Sequence, residues 1–346
     1  MTKVFVGMSG GVDSSVTAAL LQQRGFDVTG VYMKNWTQDL PGMTCPWMDD
    51  YQDAKRVAVQ LGIDFKVYDF QEEYRSRVVD YMIAGYEAGL TPNPDIMCNQ
   101  EVKFKLFLET ALADGADCIA TGHYARIIDG SLFVGVDTNK DQSYFLYRVT
   151  EAALQKSYMP IGEYVKPQVR DLARQFGLAT ASKKDSQGIC FVGKVGIREF
   201  LENFVTAEPG SIIDQDGRQV GEHDGALFYT IGQRHGLDVG GGMPYYVVGK
   251  DMDKNEVYVT TNLQDDRLWR KQFSVTAIHW INERPDFAAA DIQVRTRYRA
   301  PLVGCKIVEH EEQLLIHLES DVRAITAGQS AVFYQGERCL GGGIVV

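Results

Sequence analysis

The sequence predicts an α/β protein: a parallel sheet covered by helices in the N-terminal part, followed by two β-rich parts. Three observations lead to this prediction. The first 125 residues alternate strand-like and helix-like segments, the strand-like segments are continuously apolar, and after Pro209-Gly210 the pattern changes to short apolar runs between turn signals. Apolar strands joined by helices are typical of parallel sheets buried on both faces. Such sheets bind ligands beyond the carboxyl ends of their strands.

The alternation assigns each N-terminal segment to a strand or a helix. The predicted strands are Lys3–Met8, Asp27–Met33, Asp64–Phe70 and Asp117–Gly122, and the predicted helices are Val12–Gln23, Tyr51–Gly62, Glu72–Glu87 and Glu101–Asp114. Residues 150–205 are predicted to be mainly helical, with one helix beginning at Lys166-Pro167 and ending at Gly177. Later turn signals, such as Asp216-Gly217, are typical of all-β domains. We expect an α/β domain with a helical extension at 1–205, a small β-rich domain at 206–268 and a C-terminal β-barrel at 269–346.

Composition and charge narrow the class of protein. The chain has 346 residues, 45% of them hydrophobic, and a formal net charge of -11. These values exclude disordered, collagen-like and coiled-coil proteins. Acidic residues outnumber basic ones on both sides of residue 205, so an anionic partner must bind at local basic patches. No apolar run reaches the ~18–20 residues of a membrane span, and we expect a cytoplasmic protein with no membrane partner.

The six cysteines are irregularly spaced, which does not fit a disulfide scaffold. No Cys-x-x-Cys pair indicates zinc or an iron–sulfur cluster, so we expect no structural metal. Cys118 and Cys339 lie in apolar segments and are predicted to pack in a core. The role of Cys45 stays open.

A glycine-rich loop follows the first predicted strand and leads into a helix. It reads Ser9-Gly10-Gly11-Val12-Asp13-Ser14-Ser15. Glycines allow a ligand to approach the backbone closely, and the N–H groups at a helix start favour phosphate. The loop lacks the Gly-Lys-Ser/Thr ending of a Walker A motif. A generic strand-to-helix turn capped by Asp13 is the alternative.

Cys98 is a candidate reactive thiol. It precedes a helix predicted to begin near residue 100 with Asn99 as its cap, and the positive end of a helix favours thiolate. Lys103 and Lys105 add positive potential, and Asp95 brings a carboxylate within reach of the same pocket.

Cys190 is a second candidate thiol. It lies in a polar, lysine-bearing segment, residues 181–191, that we expect to be exposed. Two loop cysteines with basic neighbours suit thiol chemistry, where one sulfur carries a group and the other resolves it as a disulfide.

The pattern Ser-Gly-Gly-x-Asp-Ser resembles the PP-loop of the ATP pyrophosphatases, which cleave ATP between the α- and β-phosphates and adenylate a substrate oxygen. Further motifs extend the resemblance from Met1 to Ile344. In chain order they are Asn93-Pro94-Asp95 with Cys98-Asn99, Thr121-Gly122-His123-Tyr124, the run Lys140 to Leu146, the run Asp185 to Phe191, and Gly232-Gln233-Arg234. This combination resembles the tRNA-specific 2-thiouridylases of the MnmA (TrmU) family.

The resemblance implies ATP-dependent 2-thiolation of the wobble uridine (U34) in tRNAs for Lys, Glu and Gln. ATP would give its AMP to the uridine O2. Cys190 would carry a persulfide sulfur delivered by a partner protein, and Cys98 would be the nucleophile that resolves it, leaving a Cys98–Cys190 disulfide. Hydrogen sulfide released by Cys98 is the other route. Asp95 is the implied general acid or base.

The resemblance also assigns binding residues. For ATP they are Gly7, Met8, Ser9, Gly10, Gly11, Val12, Asp13, Ser14, Met33 and Gly122, and Asp13 would meet a Mg²⁺ ion that neutralises pyrophosphate. For tRNA they are Asn93, Pro94, Asp95, His123, Lys140, Asp141, Gln142, Arg297, Tyr298, Arg299 and Gln329. The C-terminal barrel would contact tRNA.

The segment 295–299 indicates nucleic-acid binding independently of the resemblance. If it is a strand, Arg295, Arg297 and Arg299 share one face at a spacing of about 6.6 Å, which suits successive phosphates. An edge strand charged against aggregation is the alternative.

Two other functions remain open from the residues. An ATP pyrophosphatase loop also serves amidation or ligation of a small metabolite. A non-enzymatic protein could sense nucleotide with this loop and bind RNA with its β domains, and it would release no AMP in the presence of tRNA.

Overall fold

The computed structural model describes residues 1–41, 45–184, 196–240, 242–288 and 291–346. Its first elements are β1 (Lys3–Gly7), α1 (Val12–Gln23), β2 (Asp27–Lys34), α2 (Trp47–Leu61), β3 (Asp64–Asp69), α3 (Gln71–Tyr74), α4 (Asp80–Glu87), α5 (Pro94–Met97), α6 (Phe107–Ala113) and β4 (Cys118–Ala120). Two π-helical stretches, Arg75–Val79 and Cys98–Leu106, join α3 to α4 and α5 to α6. Each joined pair is therefore one continuous helical segment.

The chain continues through a mixed region. Its elements are β5 (Ala125–Ile128), β6 (Ser131–Val134), a 3₁₀ turn (Ser143–Leu146), α7 (Glu151–Gln155), β7 (Ser157–Tyr158), a second 3₁₀ turn (Pro160–Glu163), α8 (Lys166–Gln175) and α9 (Ile197–Leu201). In the described part of 150–205, helices and a 3₁₀ turn predominate and the two-residue β7 is the strand found there, which agrees with the prediction of a mainly helical segment.

The predicted parallel sheet is confirmed. Its strand order is β3-β2-β1-β4-β7, and all of these pairs are parallel. Alternate residues of β1 enter different cores: Phe5 packs with Phe107 on one face, and Val4 packs with Val16 and Val169 on the other. Helices thus cover both faces, which explains why β1 and β2 are apolar along nearly their whole length. The carboxyl ends of β1, β2 and β4 meet at one edge.

The helix that carries Cys98 begins earlier than expected. It starts at Pro94 and not near residue 100, and its cap is Asn93, whose Oδ1 accepts hydrogen bonds from the backbone N–H groups of Asp95 (3.0 Å) and Ile96 (3.4 Å). Proline at the first helical position has no N–H to lose and a suitable φ. The prediction of Asn99 as the cap is therefore wrong. Cys98 lies in the second turn, beyond the reach of most of the helix-terminus potential.

Two short strand features were missed. Strand β7 has two residues and extends the parallel sheet beside β4. The hairpin β5–β6 pairs through Leu132 and Phe133 with the last strand of the chain, more than 200 residues away. Strands of two to four residues give too little periodicity to detect.

The C-terminal part is all-β, as predicted. Its elements are β8 (Gly210–Ile213), β9 (Gln219–His223), a 3₁₀ turn (Ala226–Phe228), β10 (Tyr246–Asp251), β11 (Glu256–Thr260), a 3₁₀ turn (Asp266–Leu268), β12 (Trp269–Trp280), β13 (Gln293–Arg295), β14 (Val303–His310), β15 (Gln313–Arg323), β16 (Ser330–Gln335) and β17 (Arg338–Val345). Strands β8–β11 form a separate four-stranded sheet in the order β10-β11-β8-β9.

The last six strands form the predicted β-barrel. They follow the order β12-β15-β14-β13-β16-β17, and β12 also pairs with β17, which closes the barrel. Strand β6 of the β5–β6 hairpin pairs with the first two residues of β17. The N-terminal part and the barrel therefore share one hydrogen-bonded sheet. In the ranges that the structure describes, no helix is long and apolar enough to cross a lipid bilayer.

The predicted arginine strand at 295–299 is wrong. Strand β13 ends at Arg295, and Arg299 has a positive φ of 62° in the turn that follows. Arg295 is largely buried and pairs with Asp141 at 3.2 Å, whereas Arg297 is exposed. The three guanidinium groups therefore share no strand face. Arg295 serves instead as the ion-pair partner of Asp141.

Candidate active site

A cavity of about 1060 Å³ lies at the carboxyl edge of the parallel sheet. Its walls come from the ends of β1, β2 and β4, from α2 and from the helical segment that begins at Pro94. The residues predicted from sequence that line it are Gly7, Ser9, Gly11, Val12, Asp13, Ser14, Met33, Asp95, Gly122, His123, Lys140, Gln142, Tyr298 and Arg299. The sheet topology thus gathers segments that are up to about 290 residues apart into one site.

The glycine-rich loop is shaped by its own serines. Ser14 Oγ accepts a hydrogen bond from the Ser9 N–H at 3.1 Å and donates to the Gly11 carbonyl at 3.2 Å. Gly11 is the N-cap of α1 and has no side chain to satisfy the first N–H groups of the helix. Those N–H groups are donors of the kind that bind phosphate at helix starts.

Two glycines are required by close backbone contacts. Gly10 has a φ of +73°, and a Cβ on it would lie 2.3 Å from the Asp50 carbonyl oxygen. A Cβ on Gly122 would lie 2.8 Å from the Ser14 nitrogen. The loop is therefore held between the start of α2 and the end of β4. Any side chain at either position would displace it.

Asp13 forms a partly buried ion pair that the sequence did not indicate. Lys166 Nζ lies 2.8 Å from both carboxylate oxygens of Asp13, and the Tyr124 hydroxyl donates to Oδ1 at 2.8 Å. Lys166 was predicted only as a helix start. No local sequence signal connects residues 153 positions apart, so only the fold reveals this pair.

Aromatic side chains border the cavity near Met33. Tyr32 donates its hydroxyl hydrogen to the Trp47 carbonyl at 2.9 Å, and Lys34 Nζ lies 5.4 Å from the centre of the Trp47 ring. Burial, followed by the charge of Asp50, raises the pKa of Tyr32 well above its ordinary value, so this phenol stays protonated. Tyr32, Met33 and Trp47 give this side of the cavity an apolar surface suited to a flat ring.

An ion-pair cluster lies on the α2 side. Lys183 Nζ is 2.7 Å from Asp50 Oδ1 and 2.7 Å from Asp53 Oδ2, and these contacts outweigh burial and raise the pKa of Lys183. Arg170 donates to the carbonyls of Ala181 (3.2 Å) and Lys183 (3.0 Å). These contacts hold the segment from Ala181 to Lys183 against the cavity wall.

Cys98 is fully buried and does not line the cavity, although its neighbours Asp95 and Asn99 do. It is the first residue of the π-helical stretch. π-helical turns occur frequently at functional sites. Asn99 donates to the Phe145 carbonyl at 3.0 Å and accepts from Lys103 Nζ at 3.0 Å, which fixes the wall beside the thiol.

Cys190 lies outside the described residues, so its predicted role as persulfide carrier stays a prediction. The predicted core positions of Cys118 and Cys339 are confirmed by their burial. Burial raises the pKa of Cys118 to about 11 and that of Cys305 to about 12, and it also raises the pKa of Cys45. These thiols stay protonated at neutral pH and are poor nucleophiles.

His123 is held as a buried neutral ring at the cavity wall. Its Nδ1 shares a hydrogen bond of 2.8 Å with Thr121 Oγ1, and its ring centre lies 5.7 Å from that of Phe104. Burial, assisted by the charge of Lys103, places the pKa of His123 well below its ordinary value. A neutral imidazole can donate or accept a hydrogen bond but carries no charge for phosphate.

Asp141 is an internal support and not a cavity residue. It is 4% exposed, and its carboxylate accepts hydrogen bonds from the backbone N–H groups of Gly135 and Ser143, from Ser143 Oγ and from Arg295. These contacts favour a role in holding the loop that presents Lys140 to the cavity.

An aromatic pair at the cavity joins the catalytic half to the barrel. The ring centres of Phe145 and Tyr298 are 4.5 Å apart, and the Arg299 guanidinium lies 5.1 Å from the Tyr298 ring. Both rings are partly exposed. The residues predicted to contact ATP or tRNA that do not line the cavity are Met8, Gly10, Asn93, Pro94, Asp141, Arg297 and Gln329.

The residues present do not fit a Mg²⁺ ion bound by Asp13. Both of its carboxylate oxygens already accept hydrogen bonds from Lys166. Within the described ranges, no group of three or more His, Cys, Asp or Glu side chains could hold a metal ion. A Mg²⁺ ion that accompanies ATP can be held by phosphates and water with few protein ligands, and its presence stays a prediction.

Comparisons with known proteins cover the whole chain. Residues 2–194 match the family model described as the tRNA methyl transferase HUP domain, residues 198–261 the tRNA methyl transferase PRC-barrel domain, and residues 270–345 the aminomethyltransferase beta-barrel domain. The chain is 44% identical, over 353 aligned positions, to the tRNA-specific 2-thiouridylase MnmA of Streptococcus sanguinis (strain SK36). That alignment covers 99% of this chain and 95% of the relative.

Solved structures resemble the chain more distantly. A 4-thiouridine synthetase in complex with RNA and bound ATP gives a TM-score of 0.40 at 19% identity, covering 58% of this chain and 50% of that one. The NMN synthetase of Francisella tularensis gives a TM-score of 0.36 at 16% identity, covering 56% of this chain and 69% of that one.

Proposed function

Because this chain belongs to the tRNA-specific 2-thiouridylase family, we propose that it thiolates C2 of the wobble uridine of tRNAs for Lys, Glu and Gln, with adenylation of the uridine by ATP. The enzyme is a tRNA-uridine 2-sulfurtransferase. The observation that carries the proposal is the match of the whole chain to a 2-thiouridylase, together with a phosphate-binding loop that opens onto a large cavity.

Sulfur transfer fits the site better than the methyl transfer that the descriptions of the family models name. A loop built to hold phosphates serves a reaction that uses ATP, whereas direct transfer of a methyl group uses none. The adenylation step attaches AMP to the uridine O2 and releases pyrophosphate. The uridine O2 is a poor leaving group by itself, and the attached AMP makes it a good one because the oxygen then departs as part of AMP. The donors proposed for the phosphates of ATP are the N–H groups at the start of α1, to which the N-cap Gly11 gives no side-chain partner.

The sulfur steps are proposed from the two candidate thiols. The terminal sulfur of a Cys190 persulfide attacks the activated C2, and AMP leaves. The Cys98 thiolate attacks the inner sulfur, which yields the Cys98–Cys190 disulfide and leaves the terminal sulfur on the base. Because Cys98 is buried, this step requires a local rearrangement around the π-helical stretch. Asp95, on the cavity wall, is proposed as the general acid or base.

The proposed partners follow from this chemistry. A wobble base must leave its stack to enter the cavity, as single-stranded loop bases of RNA can. Lys140 and Arg299 line the same cavity and supply positive charge for the tRNA backbone. The persulfide must come from a sulfur-donor protein such as a cysteine desulfurase or a sulfur-relay protein. We also propose domain boundaries near residues 205 and 268.

The test compares cysteine variants by liquid chromatography of tRNA nucleosides. In a strain that carries only the C190S variant, we expect 2-thiouridine to be lost, while the purified variant still releases pyrophosphate with ATP and tRNA. The matched control is C305A, since Cys305 lies in the barrel core away from the cavity. Normal thiolation by C190S would refute the persulfide role. Normal 2-thiouridine in a deletion strain would refute the function in favour of a small-metabolite ligase.

A further inference from the structure

We propose that the Lys166 ammonium neutralises the Asp13 carboxylate at the phosphate site, so that Asp13 serves as half of an ion pair and not as a metal ligand. The inference rests on the proposed ATP site. It concerns how the loop tolerates a carboxylate beside the phosphates of ATP.

The contact geometry supports a fixed ion pair. Lys166 Nζ is 2.8 Å from each Asp13 oxygen, so the ammonium group bridges the carboxylate symmetrically. The Lys166 side chain is 11% exposed and the Asp13 side chain 30%. The Tyr124 hydroxyl donates a further hydrogen bond to Oδ1 at 2.8 Å. The Asp13 carboxylate is thus oriented by two partners, Lys166 and Tyr124, in a partly buried site.

The position of Lys166 is set independently of the loop. Lys166 is the first residue of α8, and its backbone N–H donates to Asp137 Oδ2 at 2.8 Å. Val169 of the same helix packs with Val16 of α1 in one hydrophobic core. Packing between α1 and α8 therefore brings Lys166 behind the phosphate loop. The loop itself contains no lysine, unlike a Walker A loop.

The ion pair removes a negative charge that would otherwise lie beside the phosphates of ATP. An uncompensated carboxylate in the first turn of α1 would cancel the positive helix-terminus potential that attracts phosphate, and it would repel the phosphates directly. Nearby carboxylates do not suggest a metal cluster either. Asp50 and Asp53 belong to α2 and are paired with Lys183. The charge that offsets Asp13 in the described structure is therefore the Lys166 ammonium.

The decisive experiment measures ATP affinity by isothermal titration calorimetry, without tRNA, in the presence and absence of Mg²⁺. For K166M we expect affinity to fall on the order of tenfold to hundredfold, because one unpaired carboxylate then faces the phosphates. D13N leaves the Lys166 ammonium without its carboxylate partner and should bind ATP at least as tightly as wild type. The double variant K166M/D13N should recover most of the affinity lost in K166M.

The opposite pattern would overturn the inference. If Asp13 binds Mg²⁺, D13N alone should lose its Mg²⁺-dependent affinity, and D13N should not rescue K166M. Equal affinity of K166M and wild type would also refute it. If wild type itself binds no ATP, the proposed function fails, which is a different result.

Two further variants control for folding. K156M changes an exposed lysine, Lys156, and should leave ATP affinity and the thermal unfolding temperature unchanged. Y124F keeps the aromatic ring and removes only the hydroxyl that donates to Asp13. Should K166M not fold, Y124F is expected to weaken ATP binding a few-fold in the wild-type background and not in the D13N background. A loss of equal size in both backgrounds would contradict the inference.

Discussion

His123 illustrates how burial sets the charge of single residues at this site. The ring is 7% exposed, and desolvation with the nearby Lys103 charge lowers its pKa well below the ordinary value. The imidazole is therefore neutral when the enzyme is folded at neutral pH. A direct ion pair between His123 and a tRNA phosphate is not expected, although its ring can contact a base.

This lowered pKa predicts a pH dependence of stability. As the pH falls below about 6.5, the unfolded state binds a proton at residue 123 and the folded state does not, so the fold loses stability. Each pH unit below that value should cost up to about 1.4 kcal/mol. Urea unfolding of wild type and H123Q between pH 5 and 7.5 measures this contribution.

The comparison needs controls, because burial also lowers the pKa values of His223 and His279. H123Q should therefore keep part of the acid dependence and lose the share that belongs to His123. H310Q changes an exposed histidine and should follow the wild-type curve. Parallel curves for wild type and H123Q would show that His123 is not held neutral.

At the scale of the element, the helical segment from Pro94 to Ala113 organises the reaction side of the cavity. It carries Asp95, Cys98 and Asn99 in its first two turns, and the Asn93 side chain fixes where it starts. The sequence contained the correct signal, because Asn followed by Pro is a common start of a helix. The prediction took Asn99 as the cap in place of Asn93, and this moved the predicted start by several residues.

Loss of this cap should reduce both stability and activity. N93A removes the Oδ1 atom that accepts from the Asp95 and Ile96 N–H groups, which should cost about 1 kcal/mol. Because the first turn carries Asp95, thiolation should fall as well. N93D keeps a capping oxygen and should retain stability. Thermal unfolding together with thiolation rates measures both effects.

The two variants also separate the cap from the predicted tRNA contact. If Asn93 acts only as a cap, N93D should thiolate at a rate close to wild type. If its amide also contacts the base, N93D should be stable yet slow. A stable N93A variant would contradict the capping role.

At the scale of the whole molecule, local patterns predicted the parallel sheet, the glycine-rich loop and the β-barrel, since each depends on periodicity or on adjacent residues. They could not predict the features that join distant segments. Lys166 reaches Asp13, hairpin β5–β6 pairs with β17, and Arg295 is buried against Asp141. Each of these contacts is decided by packing between elements and leaves no local trace. The error in the arginine strand has this origin.

The acidic net charge of the chain differs from the local charge around the cavity. Several acidic side chains around the cavity are paired internally: Asp13 with Lys166, and Asp50 and Asp53 with Lys183. The overall charge of -11 therefore does not describe the field inside the site. Binding of an anionic partner depends on local groups such as Lys140 and Arg299, together with uncharged contacts.

The strongest uncharged contact should be the aromatic pair between the catalytic half and the barrel. Phe145 and Tyr298 are partly exposed to the cavity, and bases stack on such rings with about 1–3 kcal/mol each. Y298A should weaken tRNA binding by roughly this amount and leave ATP binding unchanged, whereas Y298F should bind tRNA like wild type. Filter binding at one fixed salt concentration measures the difference.

Equal losses in Y298A and Y298F would mean that the hydroxyl, and not the ring, makes the contact. Loss of ATP affinity in Y298A would mean instead that the pair supports the cavity as a whole.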